Sequence, residues 1–133
     1  MDKIYKLEGK PIHLTSSQFE GWILSVVFGD IIISNIQKHK WRLVPSKDDS
    51  QFIILSATLS GTHAICSGDG THEKAILCDL ADYRIVPDKC RWRVSKKGEF
   101  CQGPPGKELY LWVVNKELRT TPDSFLAEIW EFY

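Results

Sequence analysis

Apolar and polar positions alternate with a period of two along most of this chain, and that rhythm predicts strands with one buried face. It is plainest in three segments that echo one another: Gln37-Lys38-His39-Lys40-Trp41-Arg42-Leu43-Val44, Lys89-Cys90-Arg91-Trp92-Arg93-Val94 and Glu128-Ile129-Trp130-Glu131-Phe132. Each sets a Trp two residues before an apolar residue, with a charged residue between them. The three Trp stand at positions 41, 92 and 130 and divide the chain into units of comparable length. Internal repetition of this kind predicts a repeated architecture.

Within the first unit, Ile4-Tyr5-Lys6-Leu7 reads as a strand, Gly9-Lys10-Pro11 as a turn and Ile12-His13-Leu14 as the return. A polar loop runs from Thr15 to Trp22. Ile23 to Phe28 and Ile31-Ile32-Ile33 form a strand pair about Gly29-Asp30, and Pro45 to Ser50 is a hydrophilic turn. The second unit offers Phe52-Ile53-Ile54-Leu55, His63-Ala64-Ile65-Cys66 and Ala75-Ile76-Leu77-Cys78, separated by Ser60-Gly61 and Ser67-Gly68-Asp69-Gly70-Thr71. Asp82 to Asp88 reads as an insertion. The third unit runs from Glu99-Phe100-Cys101 across Gly103-Pro104-Pro105-Gly106 to Leu109–Val114. A loop from Asn115 to Asp123 and a last strand from Phe125 to Phe132 complete it.

That last segment also fits helical spacing through Phe125, Ile129 and Phe132, but its aromatic and β-branched content favours a strand. About a dozen short strands with turns roughly every 8 to 12 residues predict an all-β sandwich or barrel. The three-fold repeat selects a β-trefoil, a single domain over residues 1–133, whose Trp strands fill the bottom of a shared barrel.

Composition narrows the functional classes. A chain of 133 residues is one domain by size. Its 17 basic and 17 acidic residues cancel, leaving no basic face to displace counterions from a nucleic acid. The charged N-terminus has no apolar signal core, and no run approaches the roughly 18 apolar residues of a membrane span. Four cysteines (66, 78, 90 and 101) without a secretion signal are expected to be free thiols in a cytoplasmic protein.

Candidate chemistry is sparse. His63, Cys66, His72 and Cys78 are soft ligands close together, but with no Cys-x-x-Cys pair they match no common zinc pattern. They read as core residues, so neither a metal nor another cofactor is expected. No nucleophile motif surrounds Cys66 or Cys101. Gly68-Asp69-Gly70 lacks the Lys and helix of a phosphate loop, and the paired acids Asp48-Asp49 sit in a polar turn. The chain is therefore expected to bind, not to catalyse.

Recognition then falls to the loops. Ser17-Gln18-Phe19-Glu20-Gly21-Trp22 places two large aromatics in a polar segment, which suits exposed anchors of an interface. The alternative is that they fold back to plug the barrel. Lys47 and Lys107, each beside prolines, are basic residues that suit a trypsin-type pocket.

Several segments together resemble a known family. They are the first strand with Tyr5, Trp41-Arg42-Leu43 followed by Phe52-Ile53-Ile54-Leu55, and Trp92-Arg93-Val94. Pro105-Gly106-Lys107-Glu108-Leu109-Tyr110 and Thr121-Pro122-Asp123-Ser124-Phe125, leading into Ile129-Trp130, complete the set. Over nearly its whole length the chain resembles the β-trefoil serine protease inhibitors of mushrooms, the cospin group. The resemblance implies a protease as partner, met by a loop between the second and third strands of the first unit, here about Thr15 to Trp22. Trypsin inhibitors of that family place an Arg there, whereas no Lys or Arg occurs from Pro11 to Gln37. An apolar specificity pocket is the expected target, filled by Phe19 or Trp22. The alternative is a defensive lectin that binds a glycan. The Gln-x-Trp signature of ricin-type lectins is absent, since His39, Cys90 and Glu128 precede the three Trp by two residues.

Overall fold

The structure, a computed structural model, describes residues 9–46, 51–68 and 73–133. The expected strand at Ile4 to Leu7, Lys47 with Asp48-Asp49, and His72 lie outside the described residues. What is described is all-β, with helical structure confined to single 3-10 turns.

Twelve strands follow one another: β1 (Leu14–Ser16), β2 (Ile23–Val27), β3 (Asp30–Ser34), β4 (Trp41–Pro45), β5 (Phe52–Ser56), β6 (His63–Cys66), β7 (Ile76–Asp79), β8 (Arg93–Val94), β9 (Phe100–Gln102), β10 (Leu109–Val114), β11 (Glu117–Thr121) and β12 (Trp130–Phe132). Eight form a curled sheet in the order β12-β1-β2-β3-β11-β10-β9-β8, and four form a second in the order β4-β5-β6-β7. All described pairings are antiparallel, and isolated bridges Ile12↔Trp41, Phe52↔Trp92 and Lys74↔Arg119 join the two sheets.

The pairing repeats from unit to unit. Each unit's opening segment meets its own closing Trp. Ile12 and Trp41 exchange backbone hydrogen bonds of 2.8 and 2.8 Å, and Phe52 and Trp92 exchange bonds of 2.7 and 2.8 Å. In the third unit the Trp130 N–H donates to the Gly98 carbonyl at 2.9 Å. Gly98 has φ 101°, and a Cβ there would sit 2.6 Å from the Trp130 carbonyl oxygen, so only glycine admits this approach. Each closing strand also pairs with the opening strand of another unit, as β4–β5, β8–β9 and β12–β1. The remaining strands form the hairpins β2–β3, β6–β7 and β10–β11.

The core lies where the Trp strands converge. Trp41, Trp92, Phe52 and Phe100 are fully buried, and Trp130 is 2% exposed. Large aromatics dominate such a core, and truncating one to Ala costs about 3–5 kcal/mol. The indole N–H of Trp41 donates to the Leu24 carbonyl and that of Trp92 to the Ile65 carbonyl, each at 2.9 Å. Among the described residues the Trp130 indole N–H finds no acceptor. The Leu111 carbonyl on β10 instead accepts the backbone N–H of Glu128 at 3.0 Å.

Four expectations are corrected. Asn115 to Asp123 is not a loop: Asn115 and Lys116 make a two-residue turn with φ 51° and 65°, and β11 returns along β10 through five residue pairs. Leu118, Thr120 and Thr121 are buried there, but the threonines hid the alternation because they are polar by composition. The last strand is shorter than expected. Ser124–Leu126 forms a 3-10 turn capped by the Asp123 carboxyl, and only Trp130–Phe132 is strand. The bend after β2 falls on Phe28-Gly29 and not on Gly29-Asp30, with both residues at positive φ. Last, the thiols are not all free. Cys66 and Cys90 form a disulfide, and Cys78 and Cys101 remain free. The third-unit and hairpin corrections turn on register, and the disulfide on a meeting across the fold.

Candidate functional site

The bend from Ser17 to Trp22 joins β1 to β2 and consists of two consecutive turns. The Phe19 N–H donates to the Ser16 carbonyl at 3.1 Å, and the Trp22 N–H to the Phe19 carbonyl at 3.0 Å. Turn corners face outward and turn ends face inward, so Ser17, Gln18, Glu20 and Gly21 are exposed while Phe19 and Trp22 are half-buried. Gly21 sits at a corner with φ 81°, a conformation glycine adopts without strain. Both aromatics pack against the core, and the structure thus places them nearer the fold-back alternative than the exposed anchor.

Beneath the bend lies a buried polar brace. Glu128 is 3% exposed, and one of its carboxyl oxygens accepts the hydroxyl of Ser16, itself buried. The other accepts the backbone N–H of Val113 at 3.3 Å. Ser16 Oγ in turn accepts the Gln18 N–H at 3.2 Å, which ties the brace to the first turn. A buried carboxyl group is tolerable only when its oxygens are met in this way. Three further contacts close the bend. Thr15 Oγ1 donates to the Trp22 carbonyl at 2.5 Å, and the Ser17 N–H to the Ile129 carbonyl at 2.9 Å. The Lys116 ammonium lies 4.6 Å from the Trp22 ring centroid, a cation–π contact from the neighbouring hairpin.

Beside the bend runs a cleft of about 370 Å³, lined by Ser17, Glu20, Gly21, Glu131 and Tyr133 among others. The Tyr133 backbone exchanges hydrogen bonds with His13 at 2.6 and 3.2 Å, and its ring tilts against the His13 ring at 5.6 Å between centroids. Its side chain nevertheless remains exposed, an aromatic surface among carboxyl and hydroxyl groups. Lys107 lies on the β9–β10 connection, which corresponds to the β1–β2 bend in the first unit. It is exposed, and its N–H closes a turn onto the Pro104 carbonyl at 2.9 Å.

No protein-family model matches this chain, and no curated protein matches it.

The other candidate groups are dispersed or inert. Cys66 is held in the disulfide. Burial pushes the Cys101 thiol up, against the opposing pull of the Arg93 guanidinium, which leaves less thiolate for nucleophilic attack at neutral pH. His63 stands on the opposite face of β6 from Cys66, because the two lie three positions apart on a strand. No helix among the described residues is long and apolar enough to cross a membrane.

Sequence reasoning missed the roles of Glu128 and Tyr133, and it placed Phe28 within a strand. Phe28 is fully exposed at the tip of the β2–β3 hairpin and has φ 51°. A fully exposed Phe in the left-handed region is doubly unusual. Its apolar run in sequence read as strand, and only the position of the turn reveals it.

Proposed function

We propose that this chain is a β-trefoil binding protein, not an enzyme, that presents the Ser17–Trp22 bend to the cleft of a serine protease, as its resemblance to the cospin-like inhibitors implies. The unit-by-unit pairing supports the trefoil reading: three opening strands, three closing Trp strands and three hairpins recur in the same order. The inhibitor reading rests on one observation, the brace of Ser16, Glu128 and Val113 that holds the bend in place before any partner arrives. A loop ordered in advance loses little entropy on docking and resists being drawn through the cleft as a substrate.

In this reading the half-exposed Phe19 supplies the apolar contact, the corner residues Gln18 and Glu20 flank it, and Trp22 holds the bend to the core. Titrating the protein against chymotrypsin, subtilisin, trypsin and papain with a reporter substrate tests it. Stoichiometric inhibition of an aromatic-preferring enzyme, lost in Phe19→Ala, is the expected result. Inhibition of trypsin that disappears in Lys107→Ala transfers the role to the β9–β10 connection, and no inhibition of any of the four overturns the reading.

The cleft favours a second reading, a carbohydrate-binding protein. An exposed Tyr beside carboxyl and hydroxyl groups offers a sugar both a stacking face and hydrogen-bond acceptors. Binding on a glycan array that is displaced by free sugar and lost in Tyr133→Ala is its expected signature.

A further inference from the structure

Three cysteines from separate elements, Cys66, Cys78 and Cys90, meet in one buried cluster. On the β6–β7 pair, Cys66 lies opposite Ile76 and Ala64 opposite Cys78, so Cys66 and Cys78 are diagonal neighbours on one face. Cys90 arrives from the 3-10 turn Asp88–Cys90. Its approach is fixed by the Lys89 carbonyl, which accepts the Ser67 N–H at 3.1 Å and the Gln102 side-chain N–H at 2.9 Å. The three sulfur atoms all lie within 4.8 Å of one another. Cys66 and Cys90 are 0% exposed and Cys78 is 8% exposed, and the apolar side chains of Leu80 and Val86 pack against them.

We propose that, once the Cys66–Cys90 disulfide is reduced, Cys66, Cys78 and Cys90 form a three-thiolate site for one copper(I) ion. The donor set is all sulfur, which selects soft ions over magnesium, calcium or manganese. The size fits as well. Sulfurs about 2.3 Å from a central ion in a trigonal plane stand about 4 Å apart, a spacing that falls inside the 4.8 Å span of the cluster and that Cys66 and Cys90 can take once the S–S bond opens. Zinc would need a fourth ligand, and among the described residues no further His, Cys, Asp or Glu joins the three cysteines, on which the apolar Leu80 and Val86 pack. A three-coordinate soft ion needs none.

The steps balance. A dithiol reductant supplies two electrons and two protons to the disulfide and becomes a disulfide itself. Copper(I) then displaces the thiol protons to solvent and keeps its oxidation state. The disulfide and the metal site are thus alternative states of the same sulfurs. This inference is independent of the protease and sugar readings.

The test uses the full chain, reduced anaerobically with a phosphine and titrated with copper(I) against the chelator bathocuproine disulfonate. The expected result is one copper per chain, with three sulfur neighbours by X-ray absorption and no uptake by the unreduced protein. Cys78→Ser leaves the disulfide partners intact and is expected to weaken retention by more than the about 10- to 100-fold that loss of a group behind a ligand costs. Cys78→Ala repeats that test without a hydroxyl, and Cys101→Ser should bind as the wild type does. Absence of copper uptake by the reduced chain, retention by both Cys78 variants equal to that of the wild type, or loss of uptake in Cys101→Ser overturns the proposal. If the reduced chain loses its circular dichroism spectrum, recovery on adding copper(I) supports the site and failure to recover overturns it.

Discussion

Strand β2 carries an aromatic bend at each end, and the two bends are opposites. At the start of the strand, Phe19 and Trp22 turn inward onto the core, and the bend is braced by Glu128, Ser16 and Thr15. At the far end, Phe28 points wholly into solvent from a two-residue turn at φ 51°. The difference follows from length. Six residues make two successive turns whose ends can return side chains to the core. Two residues leave a turn with corners only, and a corner side chain has nowhere to go but out. An aromatic in a polar segment is therefore no sign of exposure, nor does an apolar segment ensure burial. The hairpin β10–β11 shows what the second bend would cost less to build with, since Asn115 occupies the same φ of 51° there, and Asn visits that region readily.

The first bend is most vulnerable at its brace. Glu128→Ala removes the acceptor of the Ser16 hydroxyl proton and leaves the Val113 N–H without its carboxylate partner, and is expected to lower the unfolding free energy by about 3 kcal/mol in urea denaturation. An unchanged midpoint would mean that the bend holds itself. A smaller loss, about 2 kcal/mol, is expected for Trp22→Ala, which gives up partly buried apolar area and the Lys116 contact. Phe28→Asn should act in the other direction. It converts a strained corner into an Asn-Gly turn and is expected to raise stability by about 1 kcal/mol. If that variant also abolishes partner binding while Phe19→Ala does not, the exposed bend is the functional one and the braced bend is scaffold.

How much of this was legible beforehand differs from element to element. Strands β4, β5, β6 and β10 stand close to where alternation set them, because side chains on a pleated backbone alternate in face whatever they later touch. The three Trp were legible as core for the same reason. Strand β11 was hidden by Thr120 and Thr121, whose burial is decided by their position opposite Leu111 and Tyr110. The braced bend was visible as a loop, but nothing local announced that Glu128, 112 residues from Ser16, would meet it. Of the cysteine cluster, Cys66 and Cys78 stood out in the sequence as neighbouring soft ligands but read as core, and nothing local announced that Cys90 would join them from a separate turn.

Local backbone chemistry, then, determined the all-β character, the three-fold spacing of the Trp strands and the places where the chain must turn. The long-range pairing of strands decided the rest: which aromatics face the solvent, which carboxyl group is buried, and which sulfurs meet. Alternation tells each residue which of two faces it takes, but not what will lie across that face. That depends on the register of partners distant in sequence, and only the folded chain sets it.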